Sequence, residues 1–147
     1  MGTVTLAQIV DAVETTLSAA VGLTRSQTYD EITSSINDFP LLQVYPESGR
    51  CDVGGDSDRS TMRAGMRQYE FVVHADLFAG EVQPFGERLH TLVDMIDAMM
   101  DVLEAQTTTH FDLAAIRGMR WSWTRAIMTY GDKTYVGARF VITLRQF

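Results

Sequence analysis

Cysteine, histidine and long apolar runs are scarce in this chain of 147 residues. Its one cysteine, Cys51, excludes a disulfide within the chain, as is usual for proteins of a reducing compartment. No apolar run reaches the roughly 18 residues that a membrane-spanning helix needs, and the N-terminus lacks the basic start and apolar core of a signal peptide. We therefore expect a soluble protein that is made in the cytosol.

Motifs for metal binding and catalysis are also missing. His74, His90 and His110 fall in three different segments without metal-ligand spacing. Cys51, His74 and Asp76 have the residue types of a nucleophile, a base and an orienting acid, but an incidental thiol is favoured because no local motif surrounds Cys51. Residues 52–58 place carboxylates near glycines without the order of a calcium loop. We expect no metal, no cofactor and no enzymatic activity.

The charge is acidic overall and unevenly distributed. The formal net charge is −7, yet residues 113–147 hold six basic residues and a single acid, Asp132. An acidic total opposes tight binding of nucleic acid, whose phosphates would be repelled. Two interpretations of the asymmetry remain open: the basic C-terminal segment contacts an acidic surface of another copy, or the opposite charges meet within one subunit.

The first half of the chain shows one helix and one short strand. Thr5 and Gln8 form a capping box, and apolar residues at helical spacing predict a helix over residues 6–21, with Gly22 ending it. Residues 23–38 are a polar connector with a short helical turn around Tyr29, Ile32 and Ile36. Residues 39–46 predict a strand bounded by prolines, and residues 47–61 a long flexible loop.

The middle of the chain alternates a strand with an amphipathic helix. Residues 63–78 alternate apolar and polar side chains, which predicts a half-buried strand. A helix follows over residues 84–105, with a core stripe of Leu89, Leu92, Val93, Ile96, Met100 and Leu103. Asp94, Asp97, Asp101 and Glu104 form a ridge of carboxylates beside that stripe. Met95, Met99 and Val102 widen its apolar side, which indicates either a surface for a partner or simple filling of the core by methionine.

The C-terminal segment predicts a long β-hairpin over residues 120–147, preceded by a linker with one helical turn at residues 113–117. A turn centred on Asp132 and Lys133 places Trp121 opposite Leu144 and Trp123 opposite Ile142. Both tryptophans and Ile127 then face the core, and burial is favoured over stacking on nucleic-acid bases. Arg125 shares this face, where it marks either the rim of the core or a contact with another subunit.

These elements predict one α+β domain over residues 1–147. Its sheet has about four strands and is mostly antiparallel, with the two helices packed on one face and the long hairpin at the C-terminus.

The arrangement resembles the tail terminator, or tail completion, proteins of long-tailed bacteriophages, prophages and gene-transfer particles. The resemblance rests on the helix at residues 6–21, the proline-bounded strand, the long loop, the strand at residues 69–78, the second helix and the closing segment 130–140. No invariant motif defines that family. Other phage neck and tail tube components share the fold logic, and a small-ligand-binding α+β domain and a Cys51-dependent hydrolase are the alternatives outside this class.

The resemblance implies a structural virion protein that is assembled in the bacterial cytoplasm. Such a protein forms a homo-oligomeric ring, usually a hexamer, that caps the tail tube protein and joins the tail to the head or neck connector protein. DNA passes through the lumen without sequence-specific binding, and no membrane is involved. An acidic wall suits this conduit because it does not grip phosphates.

The family supplies no site residues by motif, so the candidates follow from charge. For the subunit interface they are Asp94, Asp97, Asp101, Glu104, Met95, Met99, Val102, Arg125, Lys133, Arg139 and Arg145. For contact of the loop with the tail tube or neck they are Arg50, Asp52, Asp56, Asp58 and Arg59.

Overall fold

The computed structural model describes residues 5–28, 39–53, 67–82, 85–106, 111, 113, 116–130 and 133–146, without the side chains of Phe85 and Tyr130. The elements in chain order are α1 (Leu6–Leu17), β1 (Arg25–Thr28), β2 (Leu41–Val53), β3 (Arg67–Glu81), α2 (Phe85–Glu104), β4 (Ile116–Tyr130) and β5 (Lys133–Gln146). No helix within these ranges is long and apolar enough to cross a membrane.

The protein is α+β, with one mixed sheet in the order β1-β2-β3-β5-β4. The expected sheet of about four mostly antiparallel strands is wrong, because β1 is a fifth strand and runs parallel to β2, with Arg25 opposite Leu41 and Thr28 opposite Val44. The sequence predicts a connector at residues 25–28, because these residues are polar and too few to show alternation. The helical turn expected around Ile32 lies outside the described residues.

Both helices lie on one face of the sheet, here called the helix side. α1 packs over β1 and β2, and α2 packs over β3 and β5. The main core lies between these layers. It includes, from the strands, Leu42, Val44, Val73, Ala75, Leu77, Phe140, Ile142 and Leu144. On the other side of the sheet, here called the second face, Leu41, Phe78 and Tyr135 form a smaller cluster with Phe39 and Met128.

Helix α1 begins with the predicted capping box. The Thr5 hydroxyl accepts from the Gln8 amide at 3.2 Å, and the Thr5 amide donates to Gln8 Oε1 at 2.9 Å, so two otherwise unpaired donors are satisfied. The helix ends at Leu17, earlier than the periodicity indicates, although Ala20 remains buried. Gly22 has the predicted positive φ, at 100°.

Strand β2 extends into the segment that was expected to be a flexible loop. Residues 47–53 are paired with β3, as far as Val53 opposite Arg67, with a bulge between Pro46 and Ser48. The side chains of this extension are exposed on both faces. Because neither face is buried, the sequence shows no hydrophobic alternation there. Residues 54–61 lie outside the described part of the chain, as do residues 63–66 of the predicted second strand.

The buried stripe of α2 is rotated from the predicted one. Met95 and Met99 are 3% and 0% exposed, whereas Val93, which the periodicity predicts in the core, is 51% exposed. Val102 is half-buried against the core. Both methionines therefore belong to the main core, which is the core-filling interpretation of the pair.

Strands β4 and β5 form the expected hairpin, but its register is shifted by two residues. Tyr130 pairs with Lys133, so the connection is one residue earlier than predicted, and Trp121 pairs with Ile142. The shift is even, so each side chain keeps its predicted face. Strand β4 begins at Ile116, and the helical turn expected at residues 113–117 is therefore wrong for residues 116 and 117.

Candidate functional site

Strand β4 forms one edge of the sheet over 15 residues. Both helices pack over other strands, so the second half of β4 lies beyond the helical layer. Ser122, Trp123, Thr124 and Arg125 are exposed in succession, on both faces. An edge strand of this length presents a row of backbone donors and acceptors that favours contact with another chain.

The helix side of β4 carries exposed apolar side chains, contrary to the prediction that these residues are core. Trp123 is 41% and Ile127 is 58% exposed, although their partners Phe140 and Val136 on β5 are buried. Trp121 packs against the core. Arg125, between Trp123 and Ile127 on this face, is exposed and keeps its hydration. We call Trp123, Arg125 and Ile127 the β4 strip.

A concave acidic surface lies between α2 and the segments that directly precede β1 and β2. It encloses about 520 Å³ and is lined by residues that include Val21, Pro40, Asp94, Asp97, Ala98 and Asp101. We call it the α2 groove. The predicted ridge of Asp94, Asp97, Asp101 and Glu104 is exposed along its whole length. Val21, which is 85% exposed, adds an apolar surface beside the carboxylates.

A polar network joins three strands on the second face. Arg139 donates from Nε to Asp76 Oδ1 at 2.8 Å and from Nη2 to Asp76 Oδ2 at 3.2 Å. Tyr45 Oη donates to Asp76 Oδ2 at 2.8 Å and accepts from Arg139 Nη2 at 3.1 Å. Asp76 is only 5% exposed, so its charge is compensated by direct partners on β2 and β5.

The protonation states in this network suit a structural role. Burial raises the pKa of the Tyr45 phenol, and the Asp76 carboxylate raises it further, so the phenol stays protonated. The hydrogen bond to Asp76 raises the pKa of Arg139 in turn. Both Asp76 oxygens accept hydrogen bonds from partners that keep their protons. The arrangement therefore holds β2, β3 and β5 together and is poorly suited to proton transfer.

Around the network, His74 and Glu47 approach each other, with His74 Nδ1 3.5 Å from Glu47 Oε2, too far for a good hydrogen bond. The Tyr45 ring meets the His74 ring edge to face at 5.6 Å. Cys51 pairs with Tyr69, and the bulge in β2 places it on the opposite face of the sheet from His74. The residues considered for nucleophilic catalysis are therefore not brought together.

Two of the basic residues predicted to reach a neighbouring copy have acidic partners in their own subunit. Arg139 contacts Asp76, and Lys133 Nζ lies 3.2 Å from Glu81 Oε1. Arg145, at the far end of β5, is half-buried and sits opposite Glu70 and Gly118 in the ladder. These pairs represent the second of the two interpretations of the charge asymmetry, in which opposite charges meet within one subunit.

The predicted loop residues are divided between β2 and the undescribed segment. Arg50 and Asp52 are exposed near the end of β2, where Arg50 Nε lies 3.8 Å from Asp52 Oδ2 and 3.6 Å from Glu70 Oε1. Asp56, Asp58 and Arg59 lie outside the described residues. Within the described ranges, no group of three or more His, Cys, Asp or Glu side chains is placed to hold a metal ion.

Sequence reasoning missed the exposure of Trp123 and Ile127. Their alternation with polar residues is the same in a buried strand and in an edge strand, so the pattern alone did not distinguish the two. The arginines at positions 117, 120 and 125, without an acid anywhere in β4, were the available signal. Charge on a strand is a common way to keep an edge from pairing indiscriminately.

No protein-family model matches this chain, and no curated protein matches its sequence.

Proposed function

We propose that the chain is a structural virion subunit that forms a ring at the head-proximal end of a phage tail, as a tail terminator does. The observation that carries the proposal is the outer edge of β4, which combines 15 residues of edge strand with exposed Trp123 and Ile127. Together with the resemblance in element order, this surface favours a protein whose role is to contact further chains.

Charge favours a closed and specific assembly over indiscriminate pairing of edges. Strand β4 carries Arg117, Arg120 and Arg125 and no acid, so two β4 edges repel each other. A contact between two different patches of the same subunit avoids this repulsion. Such a head-to-tail contact forms a ring when its rotation closes, and the proposed ring has six copies.

The acidic total charge suits the lumen of such a ring. The chain carries a net charge of −7. DNA adheres to a protein when basic residues neutralise its phosphates and release the counterions bound to them. An acidic wall offers few such basic residues. DNA passing through the lumen would therefore slide without sequence-specific binding.

The two ends of the ring would contact the tail tube protein and the head or neck connector protein. We assign contact with the tail tube or with the neck to the far end of β2, where Arg50 and Asp52 are exposed, and to residues 54–61 that follow. Deleting residues 53–57 should then reduce joining of tails to heads in the particle that carries the chain. Recovery of normally joined particles would remove this assignment.

Native mass measurement with negative-stain imaging of the purified chain tests the ring. We expect a hollow six-membered ring whose population rises with protein concentration. A monomer at every concentration, both alone and with isolated tail tubes, would contradict the proposal. A reversible dimer with no larger species would contradict it as well, because a twofold dimer leaves no open contact for closure.

A groove on the second face favours another candidate, a small-ligand-binding domain. It encloses about 890 Å³ and is lined by polar Tyr45, Asp76 and Arg139 together with apolar Phe78 and Met128. This is the size of many small-molecule sites. The same native mass measurement separates the two, since a ligand site predicts a monomer with a retained small molecule. The interface between α2 and the sheet is occupied by buried core side chains, among them Leu92, Met99 and Leu103.

A further inference from the structure

We infer that the β4 strip of one copy docks in the α2 groove of the next copy. The inference rests on the proposed ring and identifies the two surfaces that would form it. The occupant of the groove is thus a second copy of this chain, presenting Trp123, Arg125 and Ile127.

The two surfaces are formed by different elements of the subunit. Strand β4 is one edge of the sheet, and β1 is the other. The α2 groove is bounded by Val21, which precedes β1, and by Pro40, which directly precedes β2. The groove therefore lies on the flank of α2 that faces the segment after α1, whereas the β4 strip lies beyond β5. Two separate surfaces are what a head-to-tail contact requires, because each subunit uses one surface toward each neighbour.

The charges of the two surfaces are complementary. Helix α2 carries five acidic residues and one arginine, and three of the acids, Asp94, Asp97 and Asp101, line the groove. Strand β4 carries three arginines and no acid. Arg125 lies at the centre of the β4 strip and has no ion pair within the described residues that would compete with a groove carboxylate. Such complementarity fixes orientation and accelerates encounter.

The apolar parts of the two surfaces also correspond. Trp123 and Ile127 flank Arg125, and Val21, Pro40 and Ala98 lie beside the groove carboxylates. At about 3.3 Å per residue, the strip from Trp123 to Ile127 spans about 13 Å. At 1.5 Å per residue, the helix from Asp94 to Asp101 spans about 10 Å. The strip and the groove are therefore of similar length, so one arginine can meet the carboxylates while its apolar neighbours become buried.

A charge swap tests the contact. Arg125→Glu and Asp97→Arg should each weaken self-association at least about tenfold, because each brings like charges together. The double variant Arg125→Glu/Asp97→Arg should recover most of the association, since it restores the pair in reverse order. Arg67→Glu and Asp11→Arg are matched controls at exposed positions on β3 and α1, outside both surfaces, and should change little.

Crosslinking provides a second measurement, which reports the residues that lie next to each other across the contact. In a Cys51→Ser background, a chain with Arg125→Cys and Asp97→Cys should give a ladder of covalent multimers with a short bismaleimide. Chains with either cysteine alone should give no covalent multimers. A covalent dimer from Arg125→Cys alone would show β4 pairing with β4 and would overturn the inference.

The outcomes separate the inference from the proposed function. A ring that survives both charge reversals and gives no ladder overturns the contact and leaves the ring in place. A chain that neither associates nor gives a ladder contradicts both. Loss of the ring in the single variants, recovery in the double variant and a ladder together support the contact.

Discussion

Arg139 on β5 binds both carboxylate oxygens of Asp76 on β3, with Nε 2.8 Å from Oδ1 and Nη2 3.2 Å from Oδ2. The two residues are direct partners in the antiparallel ladder. Asp76 is buried, whereas the Arg139 side chain is 43% exposed. The buried Asp76 carboxylate is therefore paired with a guanidinium that remains accessible to water.

Removing the arginine should destabilise the fold by leaving Asp76 unpaired. We expect Arg139→Met to lower the free energy of unfolding by about 2–3 kcal/mol, less than for a fully buried pair because the exposed guanidinium is screened. Urea denaturation measures the change. Arg139→Lys should lower the free energy of unfolding by less, because it keeps the positive charge, although it loses the bidentate hydrogen bonding. Equal stability of Arg139→Met and the wild type would show that the pair contributes nothing.

Tyr45 should make stability fall at alkaline pH. Its pKa is raised in the folded state above the ordinary value of 10.0, so the folded protein keeps a proton that the unfolded chain releases. The contribution is complete below pH 10 and is lost progressively as the pH rises above it. Denaturation of the wild type and Tyr45→Phe between pH 8 and pH 11 should show a steeper alkaline loss for the wild type. Parallel profiles would contradict this.

Gly137 should not tolerate a side chain. A Cβ at this position would overlap the Leu77 carbonyl oxygen and the Met128 methyl group, and the carbonyl belongs to a paired strand that cannot move freely. We expect Gly137→Ala to cost about 1–3 kcal/mol in thermal or urea unfolding. Gly86→Ala in α2 is the matched control. It has open space within 4 Å, so it should be neutral or stabilise the helix by up to about 1 kcal/mol.

The β4 strip should contribute more to association than to the stability of one chain. Trp123→Ser with Ile127→Thr should lower the unfolding free energy of the monomer by about 1–2 kcal/mol and leave it folded, because Ile127 is 58% exposed and Trp123, at 41%, is only partly buried. Native mass measurement should show loss of the larger species. Ile142→Ala is the contrasting variant. Ile142 is 0% exposed, and we expect a loss of about 2–5 kcal/mol. Unfolding of the double variant at room temperature would place the strip in the core.

Local signals in the sequence predicted part of this fold. The capping box at Thr5 depends on residues three apart, and the two faces of the β4–β5 hairpin depend on parity, so both are visible without tertiary information. The short strand β1 was not visible in the sequence, because its four residues are held in place by pairing with β2. The β2 extension was missed for a related reason: its neighbour β3 supplies the hydrogen bonds, while its own side chains stay exposed.

The candidate site was predictable in charge but not in geometry. The acidic ridge of α2 is where the spacing of Asp94, Asp97 and Asp101 places it. The division of the arginines was not visible, because only the ladder shows that Arg139 meets Asp76 while Arg125 stays exposed. Whether Trp123 is core or surface depends on where the helical layer ends. That boundary is set by tertiary packing, so it cannot be predicted from the sequence of β4 alone.

Cys51 offers a direct route to the number of copies in any assembly. It is the single thiol of the chain, and it is exposed near the end of β2, away from both the β4 strip and the α2 groove. A nitroxide spin label attached there would mark every copy at an equivalent point without any substitution. In a symmetric assembly, dipolar spectroscopy would then return the side and the diagonals of a regular polygon, and their ratios would identify how many vertices it has.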